Sequence, residues 1–174
     1  MVKNWMKACC LVAAMIGTAH AAQQTYVVGS GGTYRPFEFE NSQKQLEGFD
    51  IDIIKAIAKA EGFDIKLVNT PWEGIFATLS TGDRDIIISG ITITDKRKQM
   101  VDFSAPYFPA EQSIVVPADS KVTSLEALKS EKVGVVNSST GDIVVSDVLG
   151  KNSTSIKRFD NTPLMLQELF EDGV

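Results

Sequence analysis

The sequence predicts an α/β protein with mostly parallel sheets, arranged as two lobes. Three observations carry this reading. Apolar strand-like runs alternate with stretches of helical apolar spacing between Thr25 and Phe170, the pattern of parallel strands covered by helices. The alternation starts again after residue 116. Each half also opens with a valine pair followed by small polar residues, Val27 to Thr33 in one and Val135 to Gly141 in the other. The lobes are accordingly placed at residues 22–116 and 117–174.

The first 21 residues stand apart. Lys3 and Lys7 form a basic start, an apolar run follows from Ala8 to Gly17, and Ala19-His20-Ala21 offers small residues for cleavage. This is the pattern of a secretory signal peptide, too short to span a membrane. Cys9 and Cys10 lie at the beginning of the apolar run, which speaks against a lipid anchor. Export to the periplasm is expected.

The segment Thr25 to Ser30 reads as a buried strand. Helical spacing of Ile51, Ile54, Ile57 and Ala58 predicts a helix that Asp50 can cap and Gly62 stops. Alternation in Asp64 to Val68 predicts a strand. A second helix is expected with Pro71 in its first turn and Gly82 at its end. The apolar run Asp85 to Ile93 predicts one continuous buried strand. Ser113 to Ser120 reads as a further strand crossing between the lobes. Ser124 can cap a short helix, Lys132 to Val136 is a strand, and a helix follows the Asn137 to Gly141 turn. Leu164, Leu166, Leu169 and Phe170 then mark a last helix. A strand should follow that helix, so the second lobe reads as incomplete and the chain as a fragment.

Composition removes several function classes. Taking 21 of the 174 residues away leaves 153 and removes both cysteines and the single histidine. Fifteen basic residues then face 22 acidic ones, a net charge of −7. Without Cys or His there is no thiolate or imidazole nucleophile system and no zinc site of those ligands. No metal or cofactor is expected. An acidic chain without a basic stripe argues against nucleic acid.

The loop after the first strand, Gly29-Ser30-Gly31-Gly32-Thr33-Tyr34, raises the question of a phosphate cradle. The dinucleotide fingerprint needs a third glycine where Tyr34 stands, and Pro36 follows without helical apolar spacing. The glycines are instead expected to turn the backbone and leave room for a ligand side chain.

Five segments stand in order between residues 34 and 108: YRPFEF, GFDIDIIKAIAK, W-x-x-I-F-A-T-L, DIIISGITITDKR and VDFSAPYF. As a set they resemble the extracytoplasmic solute-binding proteins of amino-acid ABC transporters, with the type 2 periplasmic binding-protein fold. The resemblance implies a ligand cleft between two α/β lobes, a free amino acid as ligand, a membrane-embedded ABC permease as partner, and a monomer. It implies that Arg97 clamps the ligand carboxylate, for which a planar guanidinium is well suited. It assigns the ammonium to the Gly90 carbonyl and Thr92 hydroxyl, with the Thr92 N–H supporting the carboxylate. Thr140 and Gly141, at a helix start, would face the same carboxylate. Asn137 and Ser139 would face the side-chain pocket, and Tyr34 and Trp72 would sandwich the ligand side chain.

The chain departs from the family at Gly31. Many relatives that bind glutamine or basic amino acids carry an acid there, which weakens the case for a cationic ligand unless Glu38 or residues beyond Val174 compensate. The family's second-lobe aspartate, which pairs with the ammonium, would lie just beyond Val174, so weak or no binding is expected of this chain. Polar neutral and basic amino acids remain open as ligands. Two other functions also stay open on this fold: a cyclohexadienyl or arogenate dehydratase, with Glu38, Glu73 or Glu111 as the acid, and a sensory ligand-binding module.

Overall fold

The computed structural model describes residues 23–174; the expected signal peptide lies outside them. Strand β1 (Thr25–Ser30) is the centre of a parallel sheet. It pairs with β5 (Asp64–Asn69) along its whole length, from Thr25 opposite Asp64 to Ser30 opposite Asn69. On its other side β6 (Ile86–Ile87) sets Val28 opposite Ile86. A small antiparallel sheet lies between them in sequence, made of β2 (Thr33–Tyr34), β3 (Glu38–Glu40) and β4 (Leu46–Glu47). A second parallel pair, β7 (Val133–Val136) and β8 (Ile156–Phe159), sets Val133 opposite Ile156.

Each parallel sheet has its own core. Val28, Ile54 and Ile88 form one cluster, backed by Ile65 and Leu67. Leu128, Val135, Val145 and Ile156 form the other. Burial of such side chains contributes roughly 1.5–3 kcal/mol each, so each half has an apolar centre independent of the other.

Helix α1 (Phe49–Glu61) lays Ile51, Ile54 and Ala58 into the first half. Gly62 closes it in the left-handed conformation, with φ 73° and its N–H on the Ala58 carbonyl. Two expectations for this helix are corrected. Ile57 is 44% exposed, because the core stripe runs through positions 51, 54 and 58. Asp50 is not the cap: Gly48 holds that place at φ 124°, and Asp50 turns inward, fully buried.

Three further segments differ from expectation. Helix α2 (Ile75–Ser80) starts after Gly74, whose φ of 79° resets the backbone, so Pro71 precedes the helix. The run from Asp85 to Ile93 pairs only at Ile86 and Ile87, because Gly90 adopts φ 54° and turns the chain out of the ladder. Ser113 to Ser120 forms no strand. Val115 there is 63% exposed, and β-branched residues make a ladder only beside a strand with free backbone groups.

The remaining helices are α3 (Asp95–Lys98), α4 (Thr140–Leu149) and α5 (Thr162–Phe170), with a 3₁₀ turn at Glu126–Ser130. Their starts follow side-chain capping. Thr94 accepts from the Arg97 N–H, Ser139 from Asp142 and Asn161 from Leu164. The 3₁₀ turn differs: its cap position is Leu125, without a side-chain cap, and Ser124 one residue earlier accepts from the Ala127 N–H.

Candidate functional site

Ligands of open α/β sheets gather at the carboxyl ends of parallel strands. Here Gly31 follows β1, Trp72 follows β5, Gly90 follows β6 and Ser139 follows β7. All four line one cavity of about 1060 Å³ that runs between the two halves. Tyr34, Thr92, Arg97, Thr140 and Gly141 line it as well. Asn137 does not line it: its carbonyl points at Trp72, and its side-chain oxygen accepts from the Ser138 hydroxyl.

Arg97 is only 6% exposed. Thr94 caps the short helix that carries it and so aims the side chain back over the strand end. The guanidinium donates to the Thr92 carbonyl at 2.9 Å and to the Ser138 carbonyl at 3.4 Å. It stands 5.3 Å from the Trp72 ring centre and 5.4 Å from that of Phe76. Burial lowers its pKa from the ordinary arginine value, yet arginine stays charged in proteins. Among the described residues no carboxylate pairs with it. A buried cation served only by carbonyls and ring faces is well suited to an anionic partner from outside.

The opposite wall is the start of α4. Ser139 caps it through its hydroxyl. Gln112 reaches across to this helix start: its amide donates to the Thr140 hydroxyl at 3.0 Å, and its oxygen lies 3.1 Å from where a Gly141 side chain would begin. Asp142 fixes the preceding turn. It accepts from the Ser138 N–H and the Ser146 hydroxyl and pairs with Arg158 at 2.9 Å. Burial alone would raise its pKa, but Arg158, Ser138 and Ser146 together hold the carboxyl below the usual aspartate value. Ser138 is thereby kept at φ 58°, which presents its carbonyl to Arg97.

Gly29 within β1 and the two glycines that follow the strand do not turn the chain. None of Gly29, Gly31 and Gly32 has positive φ. They allow close approach instead. A Cβ on Gly29 would sit 2.5 Å from Ile87 Cδ1, and one on Gly32 would sit 2.9 Å from Asn69 Nδ2. Gly90 does need its left-handed conformation, and a Cβ there would meet the Tyr34 ring at 3.1 Å. Tyr34, 43% exposed, stacks on Phe37 with ring centres 5.5 Å apart.

Beneath these loops lies a group of buried acids that sequence reasoning noted only in part. Glu38 is 2% exposed and accepts from the Ser89 hydroxyl at 2.7 Å, and Ser89 in turn accepts from the Gly31 N–H. Asp50 accepts from the Gly90 N–H at 2.6 Å and the Tyr107 hydroxyl at 3.0 Å. Burial, helped by the neighbouring Asp50, raises Glu38 to about 8. Burial also raises Asp50, although the Gly90 and Tyr107 hydrogen bonds oppose it. Nothing local in the sequence marks this group, because its members come from four separate segments. Among the described residues no cluster of His, Cys, Asp and Glu is suited to hold a metal ion.

Residues 26–173 match the bacterial extracellular solute-binding proteins, family 3. A probable histidine-binding protein of Neisseria gonorrhoeae is 46% identical over 152 residues, covering 87% of this chain and 57% of that protein. The arginine-binding extracellular protein ArtP of Bacillus subtilis is 33% identical over 117 residues, 67% of this chain and 46% of ArtP. Among solved structures, the arginine-, lysine-, histidine-binding protein ArtJ of Geobacillus stearothermophilus superposes with a TM-score of 0.83 at 40% identity, covering 87% of this chain and 64% of ArtJ. The chain thus spans roughly half the length of these curated relatives. Sequence, fold and cavity agree: this chain belongs to the bacterial extracellular solute-binding proteins of family 3.

Proposed function

We propose that the protein captures a free L-amino acid, polar or basic, in the cleft between a lobe of residues 22–116 and one of residues 117–174. Delivery to a membrane-embedded ABC permease from the periplasm completes the role, and no catalytic step is assigned. One observation carries the reading: Arg97 is a buried cation, with no carboxylate partner among the described residues, at the wall of a cavity that also meets the start of α4. The ligand carboxylate takes the guanidinium, with the Thr92 and Gly141 N–H groups beside it. The ammonium takes the Gly90 carbonyl and the Thr92 hydroxyl. Tyr34 and Trp72 flank the side chain, Ser139 faces it from the second lobe, and Thr140 joins Gly141 at the carboxylate. Asn137 serves through its carbonyl, as the acceptor for Trp72. The relatives named above are described as histidine- and arginine-binding, which supports an amino acid as ligand.

The test is a heteronuclear NMR titration of the protein with L-arginine, L-histidine, L-glutamine and a hexose. Shifts of the Trp72 indole and Arg97 amide resonances with at least one amino acid, and with no sugar, are expected. Shifts with the sugar alone, or equal shifts with the sugar and the amino acids, would refute the assignment.

A further inference from the structure

We propose that Arg158, on β8, is a positioning residue: through Asp142 it fixes the turn at Ser138 and thereby sets the start of α4 against Arg97. This deepens the amino-acid reading above, on which it rests, by naming a group outside the cavity that shapes one of its walls.

Strand β8 runs parallel to β7, and Arg158 stands opposite Val135. Its partner Asp142 lies 16 positions earlier, in the first turn of α4, and is buried. Arg158 Nε donates to both carboxylate oxygens, at 3.0 and 3.1 Å. Nη2 stands 2.9 Å from Oδ1 and donates to the Ser146 hydroxyl at 2.9 Å and the Lys151 carbonyl at 3.1 Å. The Ser146 hydroxyl donates in turn to Asp142 Oδ1. The guanidinium fork is thus held by a carboxylate, a hydroxyl and a carbonyl. Among the described residues Arg158 is the one cation that pairs with Asp142.

Asp142 passes that support on to the cavity. Its Oδ2 accepts from the Ser138 N–H at 3.0 Å, and its own N–H donates to the Ser139 hydroxyl at 3.1 Å. The turn is fastened from both sides. Ser138 holds φ 58°, a left-handed conformation that a residue with a Cβ keeps only where its surroundings impose it. In that conformation its carbonyl meets Arg97 Nη2 at 3.4 Å. Ser139, Thr140 and Gly141 line the cavity, whereas Asp142 and Arg158 stand behind that wall.

Charge acts in the same direction. Asp142 directly follows Gly141, where the reading above sets the ligand carboxylate. An unpaired Asp142 would repel that anion. Arg158 cancels the charge where it arises, which leaves the start of α4 free to favour an anion.

The experiment compares the unaltered protein with Arg158→Gln, Asp142→Asn and the double variant. Heteronuclear NMR is combined with calorimetric titration of L-arginine, L-histidine and L-glutamine. Before any amino acid is added, Arg158→Gln should shift the Ser138 amide and Arg97 Nε–H resonances and leave the Val28 amide, in the core of the first half, in place. Amino-acid affinity should fall about tenfold, and Arg158→Lys should recover part of the loss, because it restores the charge and not the fork. The double variant should bind no more weakly than Asp142→Asn by itself, since Arg158 acts through that carboxylate. Unmoved Ser138 and Arg97 resonances, unchanged affinity in Arg158→Gln, or losses that multiply in the double variant would overturn the proposal. If circular dichroism shows that Arg158→Gln does not fold, Arg158→Lys takes its place and should displace the same resonances by a smaller amount; no displacement there overturns it equally. If the unaltered protein responds to none of the three amino acids, the capture reading loses its support, and the resonances recorded without them still decide whether Arg158 sets the turn.

Discussion

The indole N–H of Trp72 donates to the Asn137 carbonyl at 2.8 Å, joining residues 65 positions apart and on opposite halves of the molecule. Arg97 makes a second bridge of the same kind to the Ser138 carbonyl. Both donors come from the first half and both acceptors from the turn before α4. The side chains proposed to grip the ligand therefore also join the two halves.

Trp72→Phe keeps the ring and removes the N–H. A neutral hydrogen bond of this type contributes about 1 kcal/mol net. Amide exchange across residues 137–141 should accelerate about fivefold, measured by hydrogen–deuterium exchange mass spectrometry. An unchanged exchange rate would show that the bridge does not hold the turn.

Arg97→Ala should lower amino-acid affinity roughly ten- to hundredfold, the range for a charge-assisted hydrogen bond to a carboxylate. The far-ultraviolet circular dichroism should stay the same, because α3 is capped by Thr94 and not by the guanidinium. Equal calorimetric affinity in the two proteins would remove Arg97 from the site.

Stability should fall as pH rises from about 4.5 to about 8, the Glu38 values in the unfolded and folded states. Over that window the folded protein binds more protons than the unfolded chain, so deprotonation favours unfolding. Asp50, also raised by burial, acts in the same direction. Glu38→Gln should flatten this slope and stabilise the protein at pH 8 relative to pH 4.5. Urea midpoints across the range measure it, and parallel curves for the two proteins would contradict it.

Asp142 works with the opposite sign. Its carboxyl is held low, so its contribution is present above the ordinary aspartate value of 3.8 and is lost as pH falls through the depressed folded value. Asp142→Ala leaves the Ser138 N–H and Arg158 without their acceptor, at a cost of about 1–3 kcal/mol. A fall in Tm of about 2–10 °C at pH 7 is expected by calorimetry.

Gly48→Ala tests the entry to α1. A Cβ there would lie 2.3 Å from the Phe37 carbonyl oxygen, a backbone atom that cannot rotate away, and φ is 124°. Such strain costs about 1–3 kcal/mol before the clash is counted. Tm should drop by at least about 5 °C, whereas Gly82→Ala, with open space around it, should cost less.

How much of this was legible follows from the range of each interaction. Helices α1, α4 and α5 and strands β1, β5 and β7 rest on spacing and capping between residues a few positions apart, so a reading of local pattern reached them. The segment Ser113 to Ser120 misled for the same reason. Its β-branched residues favour extended backbone, but pairing depends on a distant strand. Asp50 has the composition of a cap and the position of a core residue, and only the packing of Gly90 and Tyr107 around it separates the two.

The order of motifs along the chain was enough to establish the α/β class and the family, because those depend on residue type and short-range periodicity. Folding in three dimensions settled what surrounds them. It brought Ser89 to Glu38 across 51 positions and Asn137 to Trp72 across 65. It also turned the glycines in and just after β1 from hinges into points of close contact. Burial and charge balance are properties of neighbours in space, and a linear string of residues does not specify which neighbours those are.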